Sequence, residues 1–191
     1  MKIIKIKECR ESRWFKPKQI VYTNDRGGDL RWDYIERTGS AASVIIVPRF
    51  RNSGDYLLIR QYRVIFDTYV IGFPAGITDE NETVESAALR ELQEETGYSG
   101  KIRQISPPIT INSALVRETA CCVLIEIDDD AVPAPQELED SEEIEVFRIE
   151  ESKLASFFER ATERGDLISA GPWFIHMTDS WLKDCGRSTG K

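Results

Sequence analysis

The order of apolar and polar positions predicts a chain built mostly from short strands. Residues 19–23 and 30–36 alternate, and the segment Asn24-Asp25-Arg26-Gly27-Gly28 between them is typical of a hairpin turn. The same alternation over residues 2–7 predicts one more strand before the hairpin. Further apolar runs predict strands at residues 41–50, 56–62, 68–73, 101–105, 119–128 and 144–149.

Three helical segments are predicted among these strands. The first begins near Thr83 and ends at Gly97, and Leu89 and Leu92 are expected to anchor it to the core. An amphipathic helix follows over residues 152–164, and a last helix lies close to the C-terminus. This order predicts the α/β class, with a mixed sheet between helices in an α/β/α sandwich.

The length of 191 residues and a hydrophobic fraction of 41% indicate one main domain with a small appendage. We expect an antiparallel β arm over residues 1–38 and the main domain over residues 39–191. No apolar run is long enough for a membrane span, and the start lacks the apolar core of a signal peptide. We therefore expect a cytoplasmic protein that does not bind membranes.

Charge and cysteine content narrow the partners further. The net charge of −8 argues against a nucleic acid, because that partner requires a broad basic surface. The cysteines show neither metal-ligand spacing nor a disulfide framework, so we expect reduced thiols: Cys9, Cys121, Cys122 and Cys185.

A cluster of glutamates near the end of the first helix carries the clearest chemical signal. At about 100° per residue, Glu91 and Glu95 fall within roughly 40° of each other, with Glu94 beside them. Like charges at this spacing repel, and the helix dipole favours cations in the last turn. Either this is a solvated acidic face, or a cation compensates the charge. Carboxylate oxygens suit a hard ion such as Mg²⁺ or Mn²⁺.

The spacing around this cluster resembles a known signature. Gly76, then Glu82, then the run Arg90-Glu91-Leu92-Gln93-Glu94-Glu95-Thr96-Gly97-Tyr98 is similar to the complete box of the Nudix hydrolases. The resemblance implies a Nudix-type sandwich and hydrolysis of the diphosphate in a nucleoside diphosphate linked to another group. It also implies a divalent metal held by the box glutamates, with Arg90 orienting them by a salt bridge.

Segments outside the box resemble the branch of ADP-ribose pyrophosphatases and nucleoside-diphosphate-sugar hydrolases. These segments are Arg31–Arg37, Gln61-Tyr62-Arg63, Phe73-Pro74-Ala75-Gly76 and Ser106-Pro107. The chain departs from that branch at Gly72, where a glutamate is usual, and at residues 112–115, where a proline is usual. Both departures concern the preferred substrate and the number of metal ions.

The resemblance implies roles for individual residues. The metal ligands would be Glu91, Glu95 and the Ala75 carbonyl, with Glu94 nearby. Arg37 and Arg63 would contact the phosphates, since a guanidinium fork suits phosphate oxygens. The base would stack between Trp14 and Trp32, one from each subunit of a homodimer.

The resemblance also implies a general base on the acidic segment of residues 128–143, just before residues 144–146. We predict this segment to be a mobile, solvated loop. Our first choice is Glu142, then Glu143, and Glu94 is the remaining alternative. Such a base must reach the attacking water.

Four functions remain open at this point. They are ADP-ribose pyrophosphatase, a hydrolase of another nucleoside diphosphate sugar such as GDP-mannose, a nucleoside triphosphate hydrolase, and a non-catalytic nucleotide sensor. The N-terminal tryptophans disfavour the third, and the complete set of box glutamates disfavours the fourth.

Overall fold

The computed structural model describes residues 3–6, 12–39 and 42–178. Its strands are β1 Phe15–Thr23, β2 Asp29–Arg37, β3 Ser43–Phe50, β4 Tyr56–Arg63, β5 Thr68–Gly72, β6 Ala75–Ile77, β7 Lys101–Ile105, β8 Val116–Arg117, β9 Ala120–Ile127, β10 Ile144–Ile149 and β11 Leu167–Ile168. Its helices are α1 Val84–Thr96 and α2 Leu154–Glu163, with a 3₁₀ turn at Glu151–Lys153. Residues 170–178 are also helical. Among the helices described, none has both the length and the apolar character needed to cross a membrane.

The central sheet is mixed, and a helix packs on each of its faces. Its main strand order is β11-β5-β4-β3-β9-β7, with β10 paired to β4 and β6 paired to β3. Strand β3 runs parallel to β9 and β5 runs parallel to β11, whereas β10 and β5 are antiparallel to β4. Helix α1 packs with Ile46 and Leu57 on one face, and α2 packs with Leu58 and Ile71 on the other. The predicted α/β/α sandwich is therefore confirmed.

The N-terminal hairpin is a separate ribbon of exposed residues. Strands β1 and β2 pair from Phe15 opposite Arg37 to Thr23 opposite Asp29. Strand β8 joins β2 to form a three-stranded sheet. The Trp32 indole N–H donates to the Ala114 carbonyl oxygen at 2.8 Å, which adds a second attachment to the domain.

The strand predicted at residues 2–7 is wrong where the structure describes it. Residues 3–6 form no strand, and the rest of that segment lies outside the described residues. Ile4 and Ile6 are 97% and 84% exposed, so the alternation buries no apolar face here. Alternation stabilises a strand only when one face is covered and a partner strand completes the hydrogen bonds.

Helix α1 follows from clear end signals. The Thr83 hydroxyl accepts a hydrogen bond from the Ser86 N–H, and Gly97 ends the helix in the left-handed conformation at φ +74°. Leu92 is fully buried, as expected, but Leu89 is 39% exposed and does not anchor the helix. Small Ala87 and Ala88 fill the rest of the buried arc, which leaves Leu89 outside it.

We expect Leu92→Ala to lower the free energy of unfolding by about 2–5 kcal/mol, because it leaves a cavity between α1 and the sheet. Leu89→Ala is the matched control on the same helix and should cost less than about 1 kcal/mol. Urea unfolding of both variants measures the difference. Equal losses would contradict this assignment of the core face.

Candidate active site

A buried carboxylate lies in the last turn of α1. Glu95 is 2% exposed, and its Oε2 accepts a hydrogen bond from the Ala75 N–H at 3.0 Å. Burial raises the pKa of Glu95 to about 8, the Ala75 hydrogen bond opposes this shift, and the charges of Glu91 and Glu142 add to it. The positive charge of Arg63 lowers the pKa. The charges of Glu91 on α1, Arg63 on β4 and Glu142 before β10 therefore all act on the Glu95 carboxylate.

Glu91 lies against the backbone of the strand that carries Ala75. A Cβ added to Gly76 would lie 2.0 Å from the Glu91 carboxylate, so no residue with a side chain fits there unless this carboxylate moves. Burial raises the pKa of Glu91, and the charge of Arg90 opposes this shift. The glycine of the signature box thus makes room for the carboxylate.

Arg90 gathers the outer glutamates of the box. Its guanidinium nitrogens lie 2.9 Å from carboxylate oxygens of Glu82, Glu91 and Glu94. The orienting salt bridge expected of Arg90 is therefore present. The Glu94 carboxylate is thus engaged by Arg90 in this structure.

The residues present fit a divalent cation in the chemistry of their donor atoms. Glu91 and Glu95 are close enough for the charge of one to raise the pKa of the other, and both adjoin the Ala75-Gly76 backbone. A hard cation would compensate the buried charge of Glu95. In the part of the chain that the structure describes, no three acidic, histidine or cysteine side chains are grouped to hold a metal. The fit thus depends on Glu91, Glu95 and backbone oxygen, and the roles of Ala75 and Glu94 stay predictions.

Glu142 and Glu143, the two candidates for the base on the acidic segment, have different surroundings. Ile144 pairs with Gln61, and the Tyr62 N–H donates to the Glu143 carbonyl at 3.2 Å, so the same register places Glu142 opposite Arg63. Glu142 acts on Glu95, as stated above. The Glu143 carboxylate instead accepts a hydrogen bond from the Tyr69 hydroxyl. Of these two residues, Glu142 is therefore the one that lies beside Glu95 and Arg63.

Backbone hydrogen bonds attach the acidic segment to α1, while most of its residues are exposed, as expected of a solvated loop. Its mobility stays a prediction. The Ala134 N–H donates to the Gly97 carbonyl at 2.8 Å, and the Glu137 N–H donates to the Glu94 carbonyl at 2.9 Å. The carbonyls of a helix's last turn lack partners within the helix, so they accept bonds from a passing chain.

Arg37 and the tryptophans lie at the N-terminal hairpin. Arg37 donates to Glu118 at 2.9 Å, and the Ser43 hydroxyl donates to the same oxygen at 2.6 Å. Trp14 and Trp32 are 60% and 48% exposed, so part of each ring is open to a ligand. The Arg13 guanidinium lies 4.5 Å from the Trp14 ring centre and covers one face of it.

A groove of about 470 Å³ adjoins Arg37. Four basic side chains line it, namely Lys16, Lys18, Arg37 and Arg117, together with two acidic ones, Glu36 and Glu118. The groove is therefore locally positive in a chain whose net charge is −8. Sequence reasoning missed Glu118 and Ser43, since neither belongs to a recognisable motif and Glu118 lies more than 70 residues along the chain from both Arg37 and Ser43.

Comparison with known proteins places this geometry in a family. The model of the NUDIX domain matches residues 39–166, more than half of the chain. The ADP-ribose pyrophosphatase of Saccharomyces cerevisiae is 30% identical over 177 residues, covering 86% of this chain and 76% of that protein. The ADP-sugar pyrophosphatase of Mus musculus is 32% identical over 127 residues, covering 63% and 58%.

A solved structure supports the fold. A crystal structure of an ADP compounds hydrolase superposes with a TM-score of 0.62 at 22% identity, covering 97% of this chain and 96% of that one. The chain belongs to the Nudix hydrolase family. It is a Nudix pyrophosphohydrolase.

The Arg90 cluster generates a pH prediction at Glu82. The hydrogen bond from Arg90, followed by that from the Asp79 N–H, lowers the pKa of Glu82 from 4.5 to about 2. Between these values the folded state binds fewer protons than the unfolded state, so the stabilisation is present above 4.5 and is lost as the pH falls through about 2.

We therefore expect Glu82→Gln to be less stable than the wild type at neutral pH, with a difference that shrinks towards pH 2. Urea unfolding across this range measures it. Glu80→Gln, an exposed neighbour, is the control and should follow the wild type. A Glu82→Gln difference that stays constant with pH would contradict the ion-pair origin of the effect.

Proposed function

We propose that this protein hydrolyses the diphosphate of ADP-ribose or a related nucleoside diphosphate sugar in a reaction that requires Mg²⁺, with Mn²⁺ as a possible substitute. The products would be a nucleoside monophosphate and a sugar phosphate, AMP and ribose 5-phosphate in the case of ADP-ribose. The observation that carries the proposal is the buried carboxylate of Glu95 beside Glu91 and the Ala75-Gly76 strand. The names of the similar proteins support the substrate class.

In this proposal Glu91, Glu95 and the Ala75 carbonyl hold the divalent ion. When bound, the ion supplies Lewis-acid stabilisation of phosphate charge and makes water a better nucleophile at neutral pH. The protein residues supply the remaining functions. The Ala75 N–H keeps the Glu95 carboxylate turned towards the strand, and Arg90 holds Glu91 from the other side.

Arg63 and Glu142 would act on the substrate and the attacking water. Arg63 places a positive charge next to Glu95, where it can bind phosphate oxygens and stabilise charge that develops in the transition state. Glu142 would accept the proton of the water. Its Oε2 accepts a hydrogen bond from the Glu139 N–H at 3.0 Å, which holds the carboxylate in place.

The hairpin would bind the rest of the nucleotide. Arg37 and the positive groove beside it suit phosphate groups, and the open parts of the Trp14 and Trp32 rings suit a base. Stacking alone tolerates any base, so GDP-mannose and other nucleoside diphosphate sugars remain the second candidate class.

We also propose a homodimer in which the hairpin, as part of a β arm over residues 1–38, contributes to the site of its partner. The exposed apolar residues of the hairpin support this, among them Ile20, Val21, Leu30 and Trp32. A cytoplasmic location is part of the same proposal and is supported by the free thiols of Cys121 and Cys122.

We expect turnover of ADP-ribose, and less of GDP-mannose, UDP-glucose, NADH and dGTP, when each is incubated with the protein and Mg²⁺. Phosphate-containing products are measured by chromatography. Glu95→Gln should lower kcat by orders of magnitude and leave the circular dichroism spectrum unchanged. The proposal fails if the wild type turns over none of these compounds, or if Glu95→Gln retains near-normal activity.

The different surroundings of Glu142 and Glu143 provide a matched pair of variants. Loss of a general base lowers turnover by about 10²- to 10⁴-fold, so we expect Glu142→Gln to fall in this range. Glu143→Gln removes the same charge one residue away and should change kcat only a few-fold. Steady-state kinetics on ADP-ribose compares them, and near-normal activity of both would exclude a base on this segment.

A further inference from the structure

Gln136 connects helix α1 to the segment that carries Glu142. Its side-chain Nε2 donates to the Glu95 carbonyl oxygen at 2.5 Å and to the Ile144 carbonyl oxygen at 3.3 Å. Glu95 contributes the buried carboxylate of the site, and Ile144 begins β10 directly after the two candidate bases. One amide group therefore joins α1 to the start of β10.

These two bonds close the segment between Gln136 and Ile144 on itself. The segment is held at its beginning by the Glu137 N–H, which donates to the Glu94 carbonyl at 2.9 Å. Within it, the Glu142 N–H donates to the Glu139 carbonyl at 2.9 Å, and the Glu142 carboxylate accepts from the Glu139 N–H. A short closed segment has fewer conformations than an open one, so the position of Glu142 is restricted.

Gly97 explains why the chain can pass this close to the helix. A Cβ on Gly97 would lie 2.0 Å from the Ala134 carbonyl oxygen, a backbone atom that cannot move aside cheaply. Gly97, the second glycine of the signature box, thus ends α1 and also leaves room for the segment that crosses the C-terminus of this helix.

We propose that Gln136 is a positioning residue for hydrolysis, which acts by holding Glu142 opposite Arg63 and next to Glu95. Its side-chain amide is bonded to two backbone carbonyls, so it acts through Glu142. The proposal therefore rests on the proposed function of Glu142. The requirement at Gln136 is for a hydrogen-bond donor, because both of its partners are carbonyl oxygens.

The choice of variant follows from this donor requirement. Gln136→Glu keeps the size of the side chain but presents a carboxylate to two carbonyl oxygens at the negative end of the helix dipole. A role in packing alone would tolerate this change. Gln104→Glu is the matched control, since Gln104 is exposed on β7 and the added charge is the same.

Hydrogen exchange tests the connection without any substrate. We expect the amides of residues 134–143 to exchange faster in Gln136→Glu than in the wild type and in Gln104→Glu. Unchanged exchange in Gln136→Glu would overturn the proposal. Since this measurement needs no activity, its outcome is separate from the success or failure of the substrate assignment.

Kinetics then tests whether Gln136 acts through Glu142. Loss of one neutral hydrogen bond corresponds to about two- to tenfold, so kcat of Gln136→Glu should fall by that factor or more, with little change in KM. On a Glu142→Gln background the same change should have almost no further effect, because the group that it positions is already gone. Additive losses, or a fall in kcat no larger than that of Gln104→Glu, would overturn the proposal.

Discussion

The burial of one carboxylate organises this molecule. Glu95 lies in the last turn of α1, where both the low exposure and the helix dipole disfavour a negative charge. The Ala75 N–H compensates part of this cost, and the raised pKa of Glu95 shows that much of it remains. The fold tolerates the group because α1 is fixed to the sheet by Leu92 and Ala88, which are fully buried. A site of this kind is stabilised when a cation binds.

The charged side chains around Glu95 each have their own partners. Arg90 pairs with Glu82, Glu91 and Glu94, whereas the Glu95 carboxylate is bound by the Ala75 N–H. A similar separation occurs just before β10, where Glu142 lies near Glu95 and the Glu143 carboxylate accepts a hydrogen bond from Tyr69. Two neighbouring residues of the same type thereby acquire different surroundings.

The sequence predicted those parts of the structure that depend on local spacing. The end signals of α1, the hairpin turn and the layered fold with its mixed sheet all follow from patterns within a few residues. The predicted burial of Leu89 and the predicted strand at the described residues 3–6 were wrong, because burial depends on neighbours that a local pattern does not contain. The separation of Glu142 from Glu143 required the register between β10 and β4, which joins residues about 80 apart.

The acidic segment also has contacts that its local sequence does not predict. Its composition, rich in acidic residues and proline, is typical of a solvated loop, yet its backbone donors satisfy the last carbonyls of α1. Only the close approach at Gly97 makes this possible, and that approach is visible once the chain has folded. The same box therefore contributes to both the proposed ion site and the position of the proposed base.

Anomalous diffraction from crystals soaked in Mn²⁺ tests the central claim most directly. The account predicts a peak within bonding distance of oxygens from both Glu91 and Glu95, next to the Ala75-Gly76 strand. An ion bound elsewhere, with both of these carboxylates left uncoordinated, would contradict it.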